Sequence, residues 1–220
     1  IDITTEEISI PMEDSGGAVI EVNAAPGLRM HLYPSGGDAQ PVAEAIVDLL
    51  FAEGLRSFPL VAVTGTNGKT TTVRMLSKIL RAAGHTVGMT TTDGVYIDGE
   101  HIKKGDCSGP ESAKMVLFDP TVDAAVLEVA RGGLIRGGLA YNQADVGIIT
   151  NITADHLGLD GVSDLEDLAF VKSLVVEQVK PGGSSVLNAD DPVSMRILDQ
   201  AQGRVILFSA EADNLVMRKH

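Results

Sequence analysis

Tryptophan is absent from the 220 residues, cysteine occurs once, and aromatic side chains make up only 4% of the chain. A single thiol, Cys107, cannot close an internal disulfide, so the expectation is a reduced protein held by its hydrophobic core. No apolar run approaches the roughly 18 residues of a membrane span, and Ile1-Asp2-Ile3 does not open a signal peptide. A cytoplasmic protein with no membrane partner is expected. Basic residues are scarce as well: 17 Lys and Arg against 30 Asp and Glu leave a net charge of −13. That balance disfavours nucleic acid and anionic lipid as partners through bulk charge, so any anion site has to be built locally.

What is abundant is apolar residues, 44%, and glycine, 24 positions. The first supports a substantial core in one to two domains; the second suits tight turns and close backbone approach to a ligand. Acidity is uneven, with ten acids and two bases in residues 1–60 and twenty acids and fifteen bases in 61–220. Two units are expected, 1–53 and 60–220, joined by a linker at 54–59. In the second, strand-like runs at 60–64, 86–90, 124–129, 145–150, 184–188 and 204–208 alternate with helical periodicity at 70–83, 110–118, 163–180 and 192–201. This alternation predicts an α/β fold, a mostly parallel sheet with flanking helices. Gly84 stops the first helix, Ser163 and Glu166 read as a capping box, and Asp191-Pro192 as an N-cap followed by a first-turn proline. Asp98-Gly99 reads as the turn of a β-hairpin over 96–102, inserted between elements of the sheet. Residues 1–60 offer a strand at 18–22, turns over 25–37 and a helix from about 38 to 52.

The strongest motif is Gly65-Thr-Asn-Gly-Lys-Thr-Thr71, preceded by the buried-strand run 60–64 and followed by helical apolar spacing. In such a loop, Gly65, Thr66, Asn67, Gly68 and Thr71 offer backbone N–H groups to a phosphate, Lys69 reaches the β- and γ-phosphates, and the Thr70 hydroxyl can ligate Mg²⁺. Val63 stands where the longer form of the motif has its first glycine. Residues 61–81 carry Lys69, Arg74, Lys78 and Arg81 with no acid, a local reversal of charge that suits a polyphosphate. An Asn-Lys-x-Asp base-recognition motif, expected of a GTPase, is absent.

In open α/β sheets the ligand lies beyond the carboxyl ends of the strands. Glu128 ends the run 124–129, Asn151 to His156 follow another strand, and Asn188-Ala-Asp-Asp191 a third. A carboxylate in an apolar run needs a cation, so Glu128 meets either a metal or an Arg. His156 ligates a metal or caps a loop; Asp191 reads as an N-cap, and Asn188 and Asp190 stay open. His31, His85, His101 and His220 read as solvated or structural. Lys172 lies on the apolar stripe of Leu165, Leu168, Val175 and Val179, where a lysine snorkels, pairs with a carboxylate or is chemically altered.

In this order, the phosphate loop, Glu128, Asn151-Ile-Thr-Ala-Asp-His156 and Asn188-Ala-Asp-Asp191 resemble the central ATPase domain of the Mur ligase family over roughly residues 60–220. That family includes the peptidoglycan Mur ligases and the folylpolyglutamate synthetases. Thr91-Thr-Asp-Gly94 and Glu128-Val-Ala-Arg-Gly-Gly-Leu134 look most like its branch in which a Mur-like part follows an ATP-grasp part. Ile20-Glu-Val-Asn-Ala-Ala-Pro-Gly27 resembles an ATP-grasp end, in which Glu21 and Asn23 would ligate Mg²⁺.

The resemblance implies ATP and Mg²⁺ as cofactors, Lys69 as phosphate lysine, Thr70 and Glu128 on one Mg²⁺, His156 on a second, and Asn188 in the nucleotide site. It implies carbamylation of Lys172, although Phe170-Val-Lys172 departs from the usual Ala-Lys pairing. The branch's chemistry is acyl-phosphate ligation, with arginine joined to the aspartate side chains of a polyaspartate primer and aspartate added by the ATP-grasp part. A homo-oligomer is implied for the full-length enzyme. So are an ATP-grasp domain before Ile1 and an acceptor domain after His220, without which the 220 residues would be inactive. Two alternatives remain: a different Mur-type amino-acid ligase, or a nucleotide-binding or phosphotransfer module without ligase activity.

Overall fold

A computed structural model describes residues 1–50, 57–154, 158 and 161–219. The chain divides into two units, Ile1–Ser57 and Phe58–His220. Of the linker expected at 54–59, only residues from 57 onward are described.

In the first unit, β1 (Asp2–Thr4) pairs antiparallel with β2 (Ala18–Glu21), followed by a single turn α1 (Arg29–Leu32) and α2 (Val42–Leu50). Neither strand nor helix buries a residue. The second unit runs β3 (Leu60–Thr64), α3 (Lys69–Ala82), β4 (Val87–Thr91), β5 (Gly94–Ile97), β6 (Glu100–Lys104), α4 (Pro110–Leu117), β7 (Ala124–Glu128) and α5 (Arg131–Gly137). It continues with β8 (Ala144–Ile149), α6 (Leu165–Glu177), β9 (Val179–Asn188), α7 (Pro192–Arg196), β10 (Arg204–Phe208) and α8 (Leu215–Lys219).

One eight-stranded sheet results, ordered β10-β9-β8-β3-β7-β4-β5-β6. It is parallel from β10 to β4 and antiparallel in the β4-β5-β6 hairpins. The hairpin turn at Asp98-Gly99 lies in the sequence segment expected, with Asp98 at φ 47°; rather than interrupting the sheet, it extends one edge. β3 is buried along its whole length and its side chains alternate between two cores. Leu60 and Ala62 join Leu127, Val116, Leu134 and Val175 on one face; Val61 and Val63 join Val73, Val87 and Val126 on the other. A third cluster around Ile149, Leu187, Leu168 and Ile197 packs α6 and α7 on the β8–β9 side.

Several local expectations need correction. The N-cap of α6 is Asp164, whose Oδ1 accepts from Glu166 N and Asp167 N at 2.9 Å; Ser163 instead donates its N–H to Asp167. The helix stops at Glu177, since Pro181 and Gly182 cannot continue it and the chain enters β9, which starts five residues earlier than the 184–188 run. The helix read over 192–201 splits into α7 and a 3-10 turn at Leu198–Gln200. α5 went unread because Gly132 and Gly133 depress helical propensity. Packing explains Gly133: a Cβ there would lie 2.9 Å from Gly109 Cα and 3.0 Å from the Ser108 carbonyl oxygen.

Candidate functional site

The sheet order reverses around β3, with β7 on one side and β8 on the other, which opens a crevice beyond their carboxyl ends. The register sets Val63 beside Glu128 and Thr64 beside Ile149. The segment between β3 and α3, the close of β7 and the segment after β8 therefore converge, although the first lies more than 50 residues in the chain from each of the other two.

Residues 65–68 form a loop that turns into α3 with Gly68 at its N-cap. Gly65 adopts φ 146°, and a Cβ there would overlap the Thr150 hydroxyl. The segment after β8 braces this loop. Asn67 N–H donates to Asn151 Oδ1 at 2.9 Å, Asn151 Nδ2 returns a bond to the Asn67 carbonyl at 3.2 Å, and Thr150 Oγ1 donates to that carbonyl at 2.6 Å. Thr66 N–H bonds the Asn151 carbonyl at 2.8 Å, and its hydroxyl accepts from Thr153 N at 3.0 Å. Lys69 Nζ bends back to the Thr66 carbonyl at 2.9 Å, on the concave side of the loop.

Thr70 Oγ1 donates to Glu128 Oε2 at 2.8 Å, and Thr92 N–H reaches the same oxygen at 3.3 Å. Glu128 is buried, and its Oε1 meets no hydrogen-bond partner among the described residues. Among the described residues no Arg pairing with Glu128 is seen, and the hydrogen bonds to it come from the Thr70 hydroxyl and the Thr92 amide. Hard oxygens from Thr70 and Glu128, in contact and with unmet acceptor capacity, fit a Mg²⁺-sized cation.

Lys172 is 3% exposed on the inward face of α6 and donates to the Gly65 carbonyl at 2.8 Å. The snorkelling reading is therefore corrected: the buried amine meets the Gly65 carbonyl of the 65–68 loop and not water. Lys69, Lys172 and Arg131 line one cavity of ≈290 Å³ together with Thr66, Thr92 and Asp106.

Other candidates sit further back. Asn188 Nδ2 donates to the Thr150 carbonyl at 3.0 Å, and its Oδ1 accepts from Asp190 N at 2.9 Å, so it supports the bracing segment and not the loop itself. Asp190 ties β9 to the chain after β10, accepting from Ser209 Oγ at 2.5 Å and Ala210 N at 2.7 Å, which lowers its pKa. Asp191 caps α7 as expected, and its Oδ2 also accepts from Ile152 N at 2.6 Å. His85 meets Asp123 at 3.1 Å and His101 stacks on Tyr96, both outside the site. Asp155 and His156 lie outside the described residues. In the first unit, Asn23 Nδ2 donates to Asp2 Oδ2 at 3.3 Å, and Glu21 pairs with Asp2 in the strand register. Sequence reasoning missed the bracing role of Thr150 and Asn151, and the Thr92 amide; the Thr91–Gly94 text was singled out without a role.

A Mur ligase middle domain matches residues 63–220. A cyanophycin synthetase of Synechocystis sp. (strain ATCC 27184 / PCC 6803 / Kazusa) is 50% identical over 221 residues, which are 100% of this chain and 25% of that protein. The chain thus spans about a quarter of the length of such relatives. Among solved structures, a UDP-N-acetylmuramoyl-L-alanyl-D-glutamate--2,6-diaminopimelate ligase aligns with TM-score 0.59 and 20% identity over 85% of this chain and 37% of its own. A bifunctional folylpolyglutamate synthase/dihydrofolate synthase with Mn, AMPPNP and L-glutamate bound aligns with TM-score 0.51 and 28% identity over 77% and 46% of the two chains.

Proposed function

The chain belongs to the Mur ligase middle-domain family, and from that membership we propose that it is the ATP-binding part of an ATP-dependent carboxylate–amine ligase of the cyanophycin synthetase type. The carboxylate is an aspartate side chain on a polyaspartate backbone, and the amine belongs to arginine; the ATP-grasp part, whose end lies in residues 1–53, extends the backbone with aspartate. Identity of 50% along the whole chain to a protein of that name favours this over another Mur-type ligase or a module without ligase activity. The enzyme works in the cytoplasm as a homo-oligomer. No helix among the described residues is long and apolar enough to cross a membrane.

The reaction has two displacements. A carboxylate oxygen attacks the γ-phosphorus of ATP and ADP leaves, giving an acyl phosphate; the amine then attacks the acyl carbon, phosphate leaves, and the nitrogen gives up a proton. Charge gathers on the transferring phosphoryl group, so positioning and electrostatics supply most of the rate. Residues 65–71 hold the phosphates by their amides, and Lys69 swings from the Thr66 carbonyl to the β- and γ-oxygens. Thr70 and Glu128 would hold one Mg²⁺ and His156 a second, and the bound ions would supply neutralisation of phosphate charge. The relative crystallised with Mn and AMPPNP supports a divalent ion beside the nucleotide. Lys172, as its carbamate, keeps one N–H for the Gly65 carbonyl while exchanging a positive for a negative charge toward the metal. Asn188 acts on the nucleotide site through Thr150. Glu21 and Asn23 serve Mg²⁺ in the ATP-grasp site.

The observation that carries the proposal is the Thr70–Glu128 contact at 2.8 Å beside the cavity that Lys69 and Lys172 line. The full-length enzyme, given ATP, Mg²⁺, a β-aspartyl primer and arginine, is expected to scramble ¹⁸O between the β,γ-bridge and β-nonbridge positions of ATP only when primer is present, and to consume arginine. Exchange without primer, or consumption of glutamate or alanine in place of arginine, overturns it. The 220-residue chain alone is expected to bind ATP without turnover.

A further inference from the structure

The turn Thr91-Thr-Asp-Gly94 joins β4 to β5 and brings Thr92 to the Thr70–Glu128 pair. Thr92 sends its N–H to Glu128 Oε2 at 3.3 Å and sets its hydroxyl 3.3 Å from that of Thr70. Its side chain is exposed, so burial does not hold it there. The next residue, Asp93, is exposed as well, yet its carboxylate accepts three side-chain hydrogen bonds. Thr91 Oγ1 donates to Oδ1 at 2.5 Å from within the turn, the Tyr96 hydroxyl to Oδ2 at 2.7 Å from β5, and Arg74 Nη2 to Oδ2 at 2.6 Å from α3.

Arg74 follows Thr70 by four residues and so shares its face of α3, one turn along. The turn is thus fastened to the helix at two neighbouring points, Thr70 to Thr92 and Arg74 to Asp93. Backbone bonds from the chain after β6, Cys107 N–H to the Thr91 carbonyl at 3.0 Å and Gly105 N–H to that of Asp93 at 3.2 Å, hold it from elsewhere and do not reach α3. The structure assigns Asp93 a positioning role: through Arg74 it registers the 91–94 turn on α3, so that Thr92 meets Glu128 and Thr70 at the oxygens proposed to hold the cation. Arg74 then serves the turn and not a phosphate. An ion pair this exposed adds little to global stability, and its effect is local. The inference rests on the metal site proposed for Thr70 and Glu128, but not on the identity of the acceptor amine.

The test uses the 220-residue chain with AMPPNP and Mn²⁺, following bound Mn²⁺ by electron paramagnetic resonance. Asp93→Asn and Arg74→Ala are each expected to lower Mn²⁺ affinity in the ternary complex by about tenfold, the low end for outer partners of metal ligands. The double variant should lose no more than either single one, because both act through one contact. AMPPNP affinity in EDTA and the melting temperature should stay close to the parent's. Arg81→Ala is the control for lost charge: it breaks an equally exposed pair on the same helix, with Asp98 at 2.8 Å, and should leave Mn²⁺ affinity unchanged. Mn²⁺ affinity in either single variant equal to the parent's, losses that add in the double variant, or the same loss in Arg81→Ala overturns the inference. So does a fall in metal-free AMPPNP affinity in Arg74→Ala, which would place Arg74 on the phosphates. A parent chain that binds AMPPNP but no Mn²⁺ would instead refute the metal site on which the inference rests, and the inference with it.

Discussion

The two units differ in what they can bury. Residues 58–219 carry three apolar clusters around a sheet covered on both faces; among the described residues of the first unit, Ser15 alone is buried. Leu49 on α2 is 80% exposed, whereas Leu127 on β7 is fully enclosed. Both segments are apolar in sequence, so apolar composition did not distinguish them. What did was alternation: strand and helix recur often enough after residue 60 to cover one another, while before it a two-stranded ribbon and a nine-residue helix provide too little surface.

The largest effect should come from the site of the second unit. Lys69→Ala in the full-length enzyme is expected to lower arginine ligation by about a thousandfold, the order seen when a transition-state charge partner is removed, with the fold intact by circular dichroism. Unchanged turnover would break the assignment of the phosphate loop. Next comes a paired comparison of cores. Leu127→Ala should cost about 2–5 kcal/mol in urea unfolding, and Leu49→Ala less than about 0.5 kcal/mol. Residues 58–220 alone should melt cooperatively at the temperature of the whole chain; a lower midpoint would show that the first unit contributes to the core after all. The smallest effect concerns Asp93, whose pKa is held at about 2 by the Thr91 hydroxyl, then the Tyr96 hydroxyl and Arg74. Because its folded pKa lies below the unfolded value of 3.8, its contribution is full above about pH 4 and fades as pH falls toward 2. Asp93→Asn should therefore lower the urea midpoint slightly at pH 5 and not at pH 2; solvent screening of this exposed network keeps the difference small. An equal loss at both values would mean that the carboxyl group acts by shape and not by charge.

Much of the fold was readable because its signals are local: the six strand runs, the Asp98-Gly99 turn and the Asp191 cap each depend on neighbours within a few residues. The Asp164 cap was misplaced by one residue because Ser163, Asp164 and their partners all satisfy the same local pattern. The site was legible in its residues but not in its contacts. Glu128 drew attention as a carboxylate in an apolar run, yet that its neighbour would be Thr70 depends on the β3–β7 register, and the resemblance supplied what the spacing did not. The Asn67–Asn151 pair joins positions 84 apart, and nothing near either marks the other.

That pair bears on how movable the loop is. Residues 65–71 are held in shape by Thr150, Asn151 and Thr153 at least as much as by their own glycines. They are not a portable part. Grafted onto another sheet without the segment after β8, the same seven residues would lose every hydrogen bond that Thr150, Asn151 and Thr153 make to them and sample many shapes. Heredity at this site must therefore act on two distant stretches together, and a recombination breakpoint between residues 71 and 150 would separate a lock from its key.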